Sequence, residues 1–149
     1  MSKIGIIGAM ELEVEQLKAQ MTITEIINKA SMDFHVGTLN GVDVVIVRSG
    51  IGKVNAALCA QILSDVFAVT HIINTGVAGS LNAALDIGDI LVSEDALHHD
   101  MDVTIFGYQL GEVPQMGCRE FKADTAMVEA AVASCKERRR PKVGASFLM

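Results

Sequence analysis

The sequence predicts an α/β fold with a mixed, largely parallel twisted sheet and flanking helices. A β-branched run at Val42–Val47 and an apolar run at His71–Asn74 are separated by a helical segment, which matches the length of a βαβ unit. The two strands of such a unit must be parallel. Asn40-Gly41, directly before the unit, signals an antiparallel hairpin. Because glycine turns follow both runs, we expect ligands to bind at the carboxyl edge of this sheet.

The first predicted strand is Lys3–Gly8, an apolar run closed by glycine and typical of a strand buried on both faces. Apolar residues spaced one helical turn apart follow it and predict an amphipathic helix. These residues are Met10, Val14, Leu17 and Met21. Glu13 falls on the border of this apolar stripe, so we expect its side chain to be half-buried. Glu11 and Glu15 are expected to point towards water.

The hairpin is predicted to pair Phe34–Leu39 with Val42–Val47. The Asn-Gly pair between them tolerates the positive φ angles that a two-residue turn requires. In the helix of the βαβ unit, apolar residues recur every four positions. They are Val54, Leu58 and Ile62, and we predict that they form the buried side of this helix.

The second half of the sequence contains a short predicted strand, Ile90–Val92, and then an irregular segment, Ala96–Met116. Segments of this length without regular structure are usually functional. The residues in this loop that could bind a metal are His98, His99, Asp100 and Asp102. Adjacent histidines on an extended chain point to opposite sides. Hydrogen bonds that fix the loop are therefore favoured over a metal site, and we expect no metal.

The last predicted helix spans Ala123–Arg138, with Asp124 or Thr125 as its N-cap. Pro141 ends this helix, because proline cannot continue it. Lys142–Met149 then has the composition of a strand that is just beginning.

Length and composition indicate one soluble globular domain, residues 1–149, with 50% hydrophobic and 20% charged residues. The formal net charge of −6 argues against general binding to nucleic acids or anionic membranes, which both need a basic face. The basic run Lys136–Arg140 is interpreted as the solvated C-terminal end of a helix.

The cysteines Cys59, Cys118 and Cys135 are odd in number and lack metal-ligand spacing, which favours reduced thiols in a cytoplasmic protein. The apolar run at the start of the chain is too short for a signal peptide, and acidic residues follow it directly. No segment is apolar for long enough to span a bilayer. The glycine turns match neither a Walker motif nor GxGxxG.

Glu13 has two interpretations. On its position alone, the favoured one is a first-turn acid that complements the helix dipole. The other is a general base, because a half-buried carboxylate beside a glycine turn lies where ligands are expected. In that case burial would raise the pKa of Glu13 towards the pH at which an enzyme works.

Four motifs together resemble the bacterial 5′-methylthioadenosine/S-adenosylhomocysteine nucleosidases, a family of the nucleoside phosphorylase superfamily. They are IGIIGAMELEV at Ile4–Val14, SGIGKVNAA at Ser49–Ala57, INTGVAG at Ile73–Gly79, and HHDMDVTIFGY at His98–Tyr108 with Pro114 beyond it. The resemblance covers most of the chain in the family's order and spacing, which makes it far more specific than any single glycine turn.

The resemblance implies a nucleoside phosphorylase-like fold and an enzyme that hydrolyses the N-glycosidic bond of methylthioadenosine or S-adenosylhomocysteine and releases adenine. In this family an acid protonates the adenine ring while a base activates water against the ribose. No cofactor and no metal are implied.

The resemblance also assigns roles to residues of this sequence. The water-activating glutamate is Glu13. Met10 and Ile51 lie near the ribose and the thioalkyl group, and Ala78 and Gly79 lie against the purine. The implied substrate-binding residues are Met10, Ile51, Val77, Ala78 and Gly79.

The resemblance further implies a homodimer. Phe106 and Pro114 would lie on a loop that reaches into the pocket of a second subunit. The expected partners are therefore a nucleoside substrate and a second copy of the chain, with no nucleic acid and no membrane.

Two features depart from the family pattern. Val77 stands where many members have a serine that steadies the acid. The family's chain also continues well beyond residue 149, so the resemblance implies a fold truncated at its C-terminal end. The remainder carries the acid and a ribose-binding glutamate, so we do not expect these 149 residues alone to be active at an enzymatic rate.

Two alternatives stay open at this point. A purine nucleoside phosphorylase-type enzyme would need an arginine or hydroxyl cluster at the glycine turns, and Met10 and Val54-Asn55 supply neither. A non-catalytic nucleoside-binding or dimerising fragment is the other alternative. Adenine release measured with and without phosphate would separate the nucleosidase from the phosphorylase. Adenine release by this chain, compared with a chain extended by the missing segment, would separate the enzyme from the non-catalytic fragment.

Overall fold

The computed structural model describes residues 2–136 and 141–148. The chain divides into two compact units, Met1–Gly79 and Ser80–Met149, and each is described by itself. The single-domain organisation expected from the chain length stays a prediction.

The first unit is a five-stranded mixed sheet with a helix on each face. Its elements are β1 Lys3–Gly8, α1 Glu11–Gln20, β2 Thr22–Lys29, β3 Met32–Leu39, β4 Val42–Arg48, α2 Lys53–Asp65 and β5 His71–Asn74. The strand order is β2-β3-β4-β1-β5. β1 pairs in parallel with both β4 and β5, while β3 is antiparallel to β2 and β4. The predicted α/β fold is confirmed, and the two strands of the βαβ unit are parallel with β1 between them.

Alternating side chains of the central strands form two cores, one on each face of the sheet. The core under α2 consists of Ile7, Met32, Phe34, Val45, Val47, Cys59, Leu63 and Phe67. The core under α1 consists of Ile6, Val14, Met21, Val44 and Ile46. Successive residues of a strand point to opposite faces. The unbroken apolar run of β4 therefore supplies both cores.

The buried side of α2 differs from the predicted one. Val54 is 82% exposed and Leu58 is 44% exposed, and Ile62 is only partly buried. The buried residues are instead Cys59 and Leu63, both 0% exposed. The two apolar stripes lie one residue apart, about 100° around the helix axis. Spacing alone does not distinguish them, and in the structure Cys59 and Leu63 pack in the core under α2.

Strand β2 was not predicted from the sequence. It lies at the edge of the sheet and is mostly exposed, so it shows no clear apolar alternation. It joins β3 through Ala30 and Ser31, which have φ angles of 49° and 62° although neither residue usually takes this conformation. The Asn40-Gly41 hairpin is confirmed, with φ angles of 50° and 81°.

The second unit contains a three-stranded sheet. Its elements are β6 Ile90–Leu97, a short 3-10 helix Thr104–Phe106, β7 Phe121–Lys122, α3 Thr125–Lys136 and β8 Pro141–Leu148. The strand order is β7-β6-β8, with β8 parallel to β6 and β7 antiparallel to it. The strand predicted at Ile90–Val92 is present and longer than predicted, and the strand predicted at Lys142–Met149 is present over its described residues, 142–148.

The N-cap of α3 is one of the two predicted residues. Asp124 Oδ1 accepts a hydrogen bond from the N–H of Met127 at 2.9 Å. The predicted helix end at Arg138, most of the basic run Lys136–Arg140, and Met149 lie outside the described residues. Among the helices of the described part, none is long and apolar enough to cross a membrane.

The core under α2 should carry much of the stability of the first unit. Phe34 is 0% exposed, and its ring stacks on that of Phe67 with centroids 4.9 Å apart. We expect Phe34→Ala to lower the free energy of unfolding by about 3–5 kcal/mol, because it leaves a cavity that close neighbours cannot fill. Ile26→Ala is the control, since Ile26 is 55% exposed and should cost less than about 0.5 kcal/mol. Equal costs in denaturant unfolding would contradict this assignment of the core.

Candidate active site

The candidate site lies within the first unit, where three neighbouring strands end at the carboxyl edge of the sheet. Backbone hydrogen bonds extend the strand pairing into the turns that follow. The N–H of Ser49 donates to the Gly8 carbonyl at 2.9 Å, and the N–H of Thr75 donates to the Ile7 carbonyl at 2.9 Å. The segments after β1, β4 and β5 therefore start side by side, as the sequence predicted for the glycine turns.

The carboxylate of Glu13 connects two of these segments. Its Oε2 accepts a hydrogen bond from the N–H of Met10 at 2.9 Å, at the N-cap of α1. Its Oε1 accepts one from the N–H of Val77 at 3.1 Å, in the loop after β5. Glu13 is half-buried, whereas Glu11 and Glu15 are exposed, as predicted.

The pKa of Glu13 is lowered from its ordinary value, so the expected rise is wrong. The hydrogen bond from the Met10 N–H is the largest cause, and the N–H groups of Val77 and Ala9 act in the same direction. Burial raises the pKa but is outweighed, because N–H groups at a helix N-terminus favour the charged form. Glu13 is therefore an ionised carboxylate at neutral pH.

Val77 has a role that the sequence analysis missed. Its side chain is 74% exposed, and the backbone N–H rather than the side chain contacts Glu13. A residue-type pattern gives no sign of a backbone donor. The glycine turn after β5 was the available signal, because such turns present N–H groups.

The turn after β4 presents Ile51. Gly50 and Gly52 have φ angles of 84° and 104°, which glycine adopts without strain. The side-chain amide of Asn55 donates to the Ile51 carbonyl at 2.8 Å, and the buried Ser49 hydroxyl donates to the Gly50 carbonyl at 2.9 Å. The Ile51 side chain is 75% exposed. Asn55 and Ser49, which fix this turn, were missed.

The remaining predicted residues of the first unit lie on the same edge. Met10 is half-buried at the start of α1, next to the Glu13 carboxylate. Ala78 and Gly79 are exposed and follow Val77 directly. The structure thus brings Met10, Glu13 and Val77 into contact, with Ile51 on the neighbouring turn.

Phe106 and Pro114 belong to the second unit. Phe106 ends the 3-10 helix and is 76% exposed, and Pro114 is half-buried. The exposed aromatic ring lies on the irregular segment that the sequence singled out.

The histidine and aspartate cluster of that segment contains a local hydrogen-bonded turn. Asp102 Oδ1 accepts hydrogen bonds from the Thr104 hydroxyl at 2.8 Å and from its N–H at 3.1 Å. Both hydrogen bonds lower the pKa of Asp102, and the bond from the hydroxyl has the larger effect. His98 packs edge-on against Phe121, with centroids 5.9 Å apart. Within residues 2–136 and 141–148, no group of three His, Cys, Asp or Glu side chains is arranged to hold a metal.

The family model described as "Phosphorylase superfamily" matches residues 3–146. The 5′-methylthioadenosine/S-adenosylhomocysteine nucleosidase of Geobacillus sp. (strain WCH70) is 46% identical over 135 residues, covering 91% of this chain and 58% of that protein. The nucleosidase of Halalkalibacterium halodurans is 43% identical over 136 residues, with the same coverage of 91% and 58%. The chain thus spans less than two thirds of the length of these curated relatives.

Solved structures give the same likeness. The nucleosidase of Colwellia psychrerythraea in complex with adenine superposes with a TM-score of 0.89 at 44% identity, covering 98% of this chain and 60% of that one. The nucleosidase of Neisseria meningitidis in complex with methylthio-immucillin-A gives a TM-score of 0.90 at 37% identity, covering 99% and 63%.

The lowered pKa of Glu13 predicts how stability depends on pH. A carboxylate with a lowered pKa stabilises the fold above its ordinary value of 4.5, and this contribution is lost as the pH falls through the lower folded value. We expect Glu13→Gln to lower the free energy of unfolding by about 1 kcal/mol at pH 7, the value of one partly solvated hydrogen bond. The difference should shrink below pH 4.5 in denaturant titrations. A difference that grows on acidification would show that the pKa is raised instead.

Proposed function

This chain belongs to the phosphorylase superfamily, and from this premise we propose that it forms the water-activating side of a nucleosidase active site. The proposed reaction is hydrolysis of the N-glycosidic bond of 5′-methylthioadenosine and S-adenosylhomocysteine, with release of adenine. The observation that carries the proposal is the ionised Glu13 carboxylate, held by two backbone N–H groups at the carboxyl edge of the sheet.

The similar proteins support this substrate class. Relatives that are 43–46% identical carry the name of this nucleosidase, and one similar solved structure holds adenine. This chain covers 58% of the length of these relatives.

Glu13 suits the activation of water in three respects. A carboxylate has about four acceptor sites, and the N–H groups of Met10, Val77 and Ala9 use at most three of them, which leaves one for a hydrogen bond from water. The group is ionised at neutral pH, so it has the free carboxylate that accepts a proton from the water. Its negative charge also stabilises the positive charge that develops on the ribose as the bond to adenine breaks.

The proposed reaction balances as a hydrolysis. The water oxygen forms a bond to the anomeric carbon, and the electron pair of the broken C–N bond goes to adenine. One proton of the water goes to Glu13, and adenine takes up a proton from a separate acid. Glu13 does not serve as that acid, since its pKa is lowered and it is ionised at neutral pH.

The substrate-binding residues are proposed from the resemblance to the nucleosidases, and their position on the same edge of the sheet supports the proposal. Ile51 and Val77 present apolar side chains that are 75% and 74% exposed, and Met10 lies beside the Glu13 carboxylate. We assign Met10 and Ile51 to the ribose and thioalkyl group, and Ala78 and Gly79 to the purine. Val77 contributes its N–H to Glu13 and has no hydroxyl for the acid.

A cytoplasmic location and a role in methionine salvage and nucleoside catabolism are part of the proposal. In support, all three cysteines of the chain are free thiols in the structure: Cys59, Cys118 and Cys135. Free thiols are typical of reducing compartments.

Replacing Glu13 tests the proposed chemistry. In a protein that carries these residues at the full length of its relatives, we expect Glu13→Gln to lower the rate of adenine release by about two to four orders of magnitude, because the amide cannot take up a proton. Glu15→Gln is the matched control on the same helix, where the side chain is exposed, and should keep the rate. The assay uses methylthioadenosine with and without phosphate. A near-normal rate for Glu13→Gln, or release that requires phosphate, would contradict the proposal.

A homodimer in which Phe106 lies at the interface is the proposed assembly. The ring is 76% exposed in the second unit, and a large aromatic side chain gains most when a partner covers it. We expect a dimer in sedimentation at micromolar concentration, and Phe106→Ala should weaken association at least about tenfold. Leu81→Ala, at a side chain that is 96% exposed outside this loop, is the control. A wild-type monomer, or equal effects of both changes, would count against this interface.

A further inference from the structure

We propose that Gly76 is a positioning residue for Glu13: the missing side chain at position 76 leaves the space that the carboxylate occupies. The expected effect on catalysis rests on the proposed function. The contact between Gly76 and Glu13 lies entirely within the first unit and does not depend on that function. Neither the sequence patterns nor the resemblance assigned a role to this glycine.

The available space around Gly76 is filled by Glu13. A Cβ atom built on Gly76 would lie 2.5 Å from Glu13 Oε1, 2.8 Å from its Cδ and 3.1 Å from its Oε2. Non-bonded carbon and oxygen atoms do not approach so closely in folded proteins. An alanine at position 76 and the observed carboxylate position therefore exclude each other.

The backbone conformation does not explain the glycine. The glycines of the described chain that have positive φ angles include Gly50 and Gly52, but Gly76 is not among them. Gly76 therefore lacks the positive φ angle that most often requires glycine. The constraint at this position is the space for the carboxylate.

An added methyl group should displace the carboxylate and leave the fold intact. Glu13 meets the added atom with the end of a flexible side chain, which can turn away at little cost. In doing so it loses the hydrogen bond from the Val77 N–H, while the Met10 N–H on its own helix stays within reach. A shift of about 1 Å in a reacting group can cost about a hundredfold in rate.

Gly8 provides an informative contrast. A Cβ atom on Gly8 would lie 2.7 Å from Val14 Cγ1 and 3.1 Å from Glu13 Cβ. Val14 is 0% exposed and packed in the core under α1. Gly8→Ala should therefore lower stability, whereas Gly76→Ala should move a carboxylate.

The experiment compares Gly76→Ala with wild type by titrating the Glu13 side-chain carboxyl carbon by NMR. Loss of one N–H donor should raise the pKa of Glu13 towards its ordinary value, and the loss of stability should be no larger than that of Glu13→Gln. Gly79→Ala is the titration control, because a Cβ atom there meets nothing within 4 Å, and it should leave the Glu13 titration unchanged. An unchanged titration in folded Gly76→Ala would overturn the inference.

The effect on catalysis is measured in a protein that carries these residues at the full length of its relatives. We expect Gly76→Ala to lower kcat for adenine release by about ten- to a hundredfold while KM changes far less. Combined with Glu13→Gln, it should have almost no further effect, because both changes act through one group. Full kcat in Gly76→Ala would overturn the inference. A wild-type protein that releases no adenine would overturn the proposed function, and the titration would still decide the role of Gly76.

A second variant covers the case in which Gly76→Ala does not fold. Glu13→Asp withdraws the carboxylate by one methylene group and should make room for the alanine. Recovery of folding in the double variant would support a clash with the carboxylate. Failure of both variants to fold would place the clash elsewhere and overturn the inference.

Discussion

The structure of the candidate site depends on the two hydrogen bonds that the Glu13 carboxylate accepts. One donor, the N–H of Met10, lies at the start of α1, and the other, the N–H of Val77, lies in the loop after β5. Because β1 is paired with β5, the helix that follows β1 and the loop that follows β5 leave the sheet side by side. One side chain therefore fixes both a helix start and a loop, and its own position follows from the sheet order.

Two opposing effects act on this carboxylate, and their balance determines its chemistry. Burial favours the neutral acid, while the N–H groups of Met10, Val77 and Ala9 favour the ion, and the second effect is larger. A group that stays ionised can accept a proton from water or stabilise a positive charge, but it cannot protonate a leaving group at neutral pH. In the proposed hydrolysis, Glu13 of the first unit is the base, and the acid is another residue.

The sequence predicted the fold class well because its strongest signals are local. The β-branched run of β4 and the Asn40-Gly41 hairpin need no knowledge of distant contacts, and both are confirmed. The predicted buried side of α2 was wrong, and the edge strand β2 was not predicted. Both depend on tertiary packing, since α2 has two apolar stripes and β2 is mostly exposed. Glu13 lies at the predicted edge, but the direction of its pKa shift was predicted wrongly, because the sequence does not show that the Met10 N–H, with the Val77 N–H from 64 residues away, outweighs burial.

The most direct test of the central claim is a crystal structure of the wild-type protein, at the full length of its relatives, with methylthio-immucillin-A bound. Our account predicts that Glu13 keeps its hydrogen bond to the Val77 N–H. It also predicts an ordered water within about 3 Å of the carboxylate, on the side facing the anomeric position of the inhibitor. A Glu13 carboxylate that turns away from this position, or that contacts the inhibitor with no water between them, would contradict the claim that Glu13 activates water.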